Sequence, residues 1–134
     1  MTPEQLWAFL PYGYLFTILV ETPVLMVGLS EHHPLLRRVL SGLWLTACTY
    51  PIVVIVLPQI FDIVEQRTLY LLVAETFAPV AECALFWVAF GSRERWNTRS
   101  MWRDLDTIVI ANLLSFGLGE VLNYYGLFDA FIPN

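Results

Sequence analysis

Four apolar runs, 6–29, 35–58, 69–90 and 105–128, occupy most of the 134-residue chain. Crossing the hydrocarbon core of a bilayer takes about 20 residues of α-helix, and each run has that length. The hydrophobic repeat in each goes nearly all the way round rather than along one stripe, as it does when lipid surrounds a helix. Hydrophobic residues make up 57% of the chain and charged residues only 14%, a balance that fits a membrane-embedded protein. The expectation is an all-α, polytopic membrane protein with a single transmembrane domain, 1–134. Its four helices would form two tandem helical hairpins, 1–58 and 68–134, packed as a bundle.

Four glutamates interrupt these runs, Glu21, Glu75, Glu82 and Glu120, and no Lys or Arg of the runs stands beside them to pair with them, Arg37 and Arg38 being at the very start of the second. An acid at the centre of a bilayer costs at least about 2.5 kcal/mol, so it is retained where it faces a cavity, a partner or an ion path. A single glutamate can also act as packing glue worth about 1 kcal/mol by hydrogen-bonding a neighbouring helix. Four together, two of them at matched positions, favour a wet cavity or an ion path.

The flanks set ends and orientation. Thr2, Pro3 and Gln5 are residues of the kind found at N-cap, N1 and N3 of a capping box. No basic stretch or small-residue cleavage site marks the first run as a removable leader. There is no lysine, and six of the seven basic residues fall on one side, Arg37 and Arg38 just after the first connection and Arg93, Arg95, Arg99 and Arg103 in the third. The positive-inside rule then puts both termini and the 59–68 connection outside a bacterial or archaeal cytoplasmic membrane. With Trp96 and Trp102, the arginines of the third connection would also suit anionic lipid headgroups.

The two halves resemble each other. Aligning 19–29 with 80–90 sets Glu21 on Glu82, each eight residues before the end of its run. The segment Thr46-Ala47-Cys48-Thr49-Tyr50-Pro51 then matches Asn112-Leu113-Leu114-Ser115-Phe116-Gly117: a polar residue, two spacers, a hydroxyl, an aromatic and a helix-weakening residue. This is the pattern of a parallel repeat about an axis along the membrane normal, and it predicts that Glu21 and Glu82 face each other. The polar stripes are Tyr14, Thr17, Glu21; Gly42, Thr46, Thr49; Glu75, Ala78, Pro79, Glu82; and Asn112, Ser115, Gly119, Asn123, and they should face the bundle axis. Glu120 lies off its stripe, in a position to meet a neighbouring subunit.

The candidate binding or ion-path residues are therefore Glu21, Glu82, Glu75, Glu120, Asn112, Thr46, Thr49 and Ser115. Pro23, Pro51 and Pro79 would free the carbonyls of Leu19, Ala47 and Glu75 beside them, either as plain kinks, with Thr22 in reach of the first, or as ion ligands. His32 and His33 read as polar loop residues too far from the acids to ligate a metal, so any metal would have oxygen ligands and its identity is open. Cys48 and Cys83 read as small buried hydrophobes. Gly117 and Gly119 read as points of close helix approach. No nucleophile set, phosphate loop, haem motif, cofactor motif or nucleic-acid signature is present.

Three functions remain. The first is a small transporter or channel, homo-oligomeric, moving protons or cations along the glutamates. The second is an accessory subunit of a larger membrane complex, with Glu120 paired to a partner's base. The third is a lipid- or quinone-processing enzyme that uses the carboxylates as acid and base, an assignment that lacks a supporting catalytic motif.

Overall fold

The computed structural model describes residues 2–62, 65–91 and 98–128. They form helices α1 (Pro3–Gly28), α2 (Leu35–Ile60), α3 (Arg67–Phe90) and α4 (Thr98–Tyr124), with no strand among the described residues. All four are long and apolar enough to cross a membrane.

Their ends follow local chemistry. Thr2 caps α1: its hydroxyl accepts from the Gln5 N–H at 3.3 Å, the Gln5 side chain accepts from the Thr2 N–H at 2.9 Å, and Pro3 takes N1, where no N–H is needed. At the other end of the chain, α4 stops at Tyr124 although the apolar run continues to Phe128. Gly126 adopts a left-handed φ of 68°, its N–H bonds the Asn123 carbonyl at 3.0 Å, and the Leu127 N–H bonds the Leu122 carbonyl at 3.1 Å. That is a Schellman turn, which satisfies carbonyls that the helix end would otherwise strand. It swings Phe128 back onto α1, where its ring meets Phe9 at 5.4 Å and Phe16 at 5.6 Å between centroids. The start of α4 lies ahead of its apolar run, because the turns carrying Arg99, Arg103 and Asp104 are helical as well.

Helix α2 is not uniform. It is α-helical over Leu35–Pro51, π-helical over Ile52–Val56 and α-helical again over Leu57–Ile60. In the π segment the bonds run to i−5, as from the Leu57 N–H to the Ile52 carbonyl. The next such donor would be Pro58, which has no N–H. The Tyr70 hydroxyl of α3 supplies the missing donor to the Val53 carbonyl at 3.2 Å. The helices also contain Pro11, in addition to the three prolines read as internal from sequence.

Helix α1 packs on α2 and α4, and α3 packs on the same two, so α1 and α3 lie diagonally across the bundle. Small residues permit the approach. A Cβ on Gly42 would lie 2.3 Å from Thr22 Oγ1 and 3.0 Å from Thr22 Cα, and one on Gly28 would lie 2.4 Å from Thr107 Cγ2. Gly117 and Gly119, expected to serve this role, do not: nothing lies within 4 Å of a Cβ on Gly117, and only Phe16, at 3.7 Å, on Gly119. Gly117 is exposed instead.

The dry core lies toward the end of the bundle that carries the 29–34 connection. Leu25, Leu29, Leu45, Phe86, Ile108 and Ala111 pack there, all nearly inaccessible. Below them, a buried polar cluster ties the 29–34 connection to α4. Asp104 accepts from the Ser30 N–H at 2.5 Å, from the Ser30 hydroxyl at 2.9 Å and from His33 Nε2 at 3.1 Å. Arg37 Nη1 lies 3.4 Å from His33 Nδ1, and a guanidinium can only donate. Nδ1 is therefore the acceptor and Nε2 carries the proton. Arg38 donates to the carbonyls of Met26, Ser30 and His33, and Arg103 to those of Gly28 and Leu29. These cap the end of α1, where cations also suit the helix dipole. His33 is the polar residue of a connection that the sequence suggests, but it is buried, 1% exposed, with its ring edge-on to Phe86 and tilted against Phe90.

Candidate functional site

Directly above the dry core, each helix contributes one or two polar side chains to a single layer. Glu21 on α1 and Glu82 on α3 are each 2% exposed. Glu21 accepts from Thr46 Oγ1 on α2 at 2.9 Å and from Ser115 Oγ on α4 at 2.5 Å. Glu82 accepts from Asn112 Nδ2 on α4 at 2.8 Å and from Thr49 Oγ1 on α2 at 2.7 Å. Spacing explains the arrangement: Thr46 and Thr49, like Asn112 and Ser115, are three apart, so each pair lies on one face of its helix. The two sets of bonds also correspond. Under the half-to-half alignment, Thr46 matches Asn112 and Thr49 matches Ser115. Each glutamate thus takes one bond from the first polar residue of its own half and one from the second polar residue of the other half.

The hydroxyls have a second acceptor within reach. Thr46 Oγ1 lies 2.8 Å from the Gly42 carbonyl, Thr49 Oγ1 lies 3.1 Å from that of Leu45, and Ser115 Oγ lies 3.0 Å from that of Asn112. Each hydroxyl has one proton to give and lone pairs to accept with. If the glutamate is ionised, the hydroxyl donates to the carboxylate. If the glutamate carries a proton, its own O–H can donate to the hydroxyl, which turns to the backbone carbonyl. Both states are satisfied without moving a heavy atom. Asn112 needs no such choice, since its two amide protons serve Glu82 and the Ile108 carbonyl, the latter at 3.0 Å.

This layer floors a cavity of about 280 Å³ that extends toward the end of the bundle holding Tyr70, Asn123 and Phe128. Thr17, Glu75, Ala78, Pro79 and Gly119 of the expected stripes line it, along with aromatic rings. Tyr14 and Gly42 do not line it: the Tyr14 hydroxyl donates to the Leu43 carbonyl at 2.9 Å, and Gly42 is closed off by Thr22. The helix breakers cluster at the floor. Pro23 follows Glu21 by two residues, Pro51 follows Thr49 by two, Gly117 follows Ser115 by two, and Pro79 precedes Glu82 by three. Thr22 does not satisfy the kink in α1, for its hydroxyl is buried without a hydrogen-bond partner.

One sequence expectation about charge needs correction. Glu120 does have a base, Arg67 at the start of α3, whose Nη2 lies 2.6 Å from Glu120 Oε2 in a partly exposed ion pair. The long arginine side chain reaches into the apolar run from outside it, so Glu120 does not require a partner subunit for its charge. Glu75 lines the cavity above the floor. Of the arginines expected at a lipid surface, Arg99 is exposed and Arg103 is engaged with α1, whereas Arg93 and Arg95 lie outside the described residues. Sequence reading missed the Ser30, His33 and Asp104 cluster; its one signal was an acid, Asp104, next to the apolar run. Cys83 donates weakly to the Leu105 carbonyl at 3.7 Å, and both cysteines are free. No group of three or more His, Cys, Asp or Glu able to hold a metal occurs among the described residues. No protein-family model, curated protein or solved structure matches the chain.

Proposed function

We propose that this protein is a small membrane carrier that takes up a proton or a cation at Glu21 and Glu82 from a cavity open at one end of the bundle. The observation that carries the reading is the hydroxyl set around the two carboxyls, Thr46, Thr49 and Ser115, each within reach of both a carboxylate and a backbone carbonyl. Such a layer accepts and releases protons with hydroxyl rotations alone. Two carboxylates away from any base and beside an apolar core favour a proton or cation as company, because uncompensated buried charge is costly.

The dry core beneath the floor argues for a carrier over a channel, since Leu25, Leu45, Phe86 and Ile108 pack there, buried, beneath the two glutamates. Passage would require the helices to reopen at the other end, and the prolines and Gly117 at floor level are where they can pivot. In this reading the two halves are tandem hairpins of a parallel repeat that move against each other, with both termini outside the cytoplasmic membrane. The accessory-subunit reading loses its main motive once Arg67 pairs with Glu120.

The test is flux in liposomes. Purified protein is reconstituted, a membrane potential is imposed, and internal pH is followed with a trapped dye. Wild type should move protons, and Glu21→Gln and Glu82→Gln should each lower the rate by about tenfold, the equivalent of 1.4 kcal/mol. Absence of flux in wild type, or unchanged flux in both variants, defeats the proposal.

A further inference from the structure

Resting on that reading, and deepening it, we infer that the cavity binds a small lipophilic ammonium: a protonated or quaternary amine with a compact, preferably aromatic body. Charge, walls and size all point this way. Four carboxylates line the cavity and no Lys, Arg or His does, while Arg67, which balances Glu120, is not among the lining residues. An anion is disfavoured throughout and a cation favoured at the floor. Most of the exposed cavity surface is nevertheless apolar and rich in rings, with Phe9, Phe16, Tyr50, Tyr70, Phe116 and Phe128 contributing. A hard inorganic cation needs about six oxygen ligands, and the floor oxygens of Glu21 and Glu82 are already taken up by hydroxyl and amide donors. An ammonium has the opposite requirements: one or two acceptors for its N–H groups, and aromatic faces for its charge and its carbon body. The cavity of about 280 Å³ lies at the lower edge of the roughly 300–1,000 Å³ occupied by drug-sized ligands, which limits the body to about one ring.

The ammonium head would sit at the Glu21/Glu82 floor, displacing one hydroxyl donor toward its backbone carbonyl, with the ring between Phe16 and Tyr50. Phe128, held over the cavity by the Gly126 turn, would cover the body from above. Because a bound ammonium and a bound proton compensate the same carboxylates, they would compete, and the carrier would exchange one for the other.

The test uses isothermal titration of the full chain in lipid nanodiscs with phenethylammonium, its neutral isostere 2-phenylethanol and the anion 3-phenylpropionate. Phenethylammonium should bind about tenfold or more tighter than either isostere, a difference of 1.4 kcal/mol or more. Glu82→Gln should remove most of that preference. Phe16→Leu, which removes a ring face beside the shared phenyl body, should weaken phenethylammonium and 2-phenylethanol alike, each by about threefold. Equal affinity for amine and alcohol overturns the inference, as does an ammonium preference that survives Glu82→Gln with the variant folded by circular dichroism. The two proposals fail separately: proton flux without amine binding removes the ligand and leaves the carrier, whereas amine binding without flux removes the carrier and leaves the site.

Discussion

Asp104→Ala should destabilise the protein by about 3–5 kcal/mol, because it leaves three buried donors without an acceptor. The figure can be built from the contacts. The mutation strands the Ser30 N–H, the Ser30 hydroxyl and the His33 Nε2–H, which now lie 2.5, 2.9 and 3.1 Å from the carboxylate. Each stranded buried donor costs about 1–3 kcal/mol, and water entering the vacated space offsets part of the sum. Asp104→Asn is the finer probe. It keeps the volume and one acceptor oxygen, but its amide N–H groups face the proton on His33. The ring can accept there only by moving its proton to Nδ1, which lies 3.4 Å from Arg37 Nη1. Two donors would then oppose each other, so Asp104→Asn should cost about 1–2 kcal/mol. Arg37→Ala removes the opposition and frees the ring to switch. The double variant should thus be less destabilised than the sum of the singles by about 0.5–1 kcal/mol. Equilibrium unfolding by dodecyl sulfate in mixed micelles, followed by far-ultraviolet circular dichroism, measures all four states. An additive cycle, or Asp104→Ala within 1 kcal/mol of wild type, refutes the assigned tautomer or the weight given to the cluster.

Three further outcomes follow from the same geometry. Gly42→Ala should cost about 1–3 kcal/mol by pushing α1 from α2, and Thr22→Ala, which removes the unpartnered hydroxyl 2.3 Å from the new Cβ, should recover part of it in the same unfolding assay. Gly126→Ala should cost about 1 kcal/mol because φ is 68° there, and hydrogen exchange should show faster turnover in residues 125–128 than in wild type. Tyr70→Phe strands the Val53 carbonyl and should cost about 0.5–1.5 kcal/mol, whereas Tyr124→Phe, at an exposed position, should be neutral by comparison.

Much of the architecture was legible because it depends on short-range order. A capping box is written within four residues, and bilayer-length apolar runs report themselves. The meeting of Glu21, Thr46, Thr49, Glu82, Asn112 and Ser115 was readable because a helix repeats and the two halves share their spacing. What escaped depends on reach and on distant partners. Arg67 lies outside the apolar runs yet its side chain extends to Glu120, and no periodicity encodes the length of an arginine. His33, beside Pro34, has the local look of a turn, and its burial is decided by Asp104, 71 residues away. Close approach at Gly28 and Gly42 rather than Gly117 depends on which helix face meets which neighbour, information absent from the composition of a single helix.

The wide turn in α2 has a mechanical consequence. Five residues, Ile52–Val56, follow a π repeat, so everything beyond them is rotated by roughly one residue's increment, about 100°, relative to a continued α-helix. A surplus residue of this kind can migrate along a helix by exchanging one carbonyl for the next, turning the far segment like a screw while the near segment stays fixed. The cylinder that carries Thr49 could in that way stay seated on Glu82 while its tip, fastened to the neighbouring strut through the Tyr70 hydroxyl, revolves between two registers.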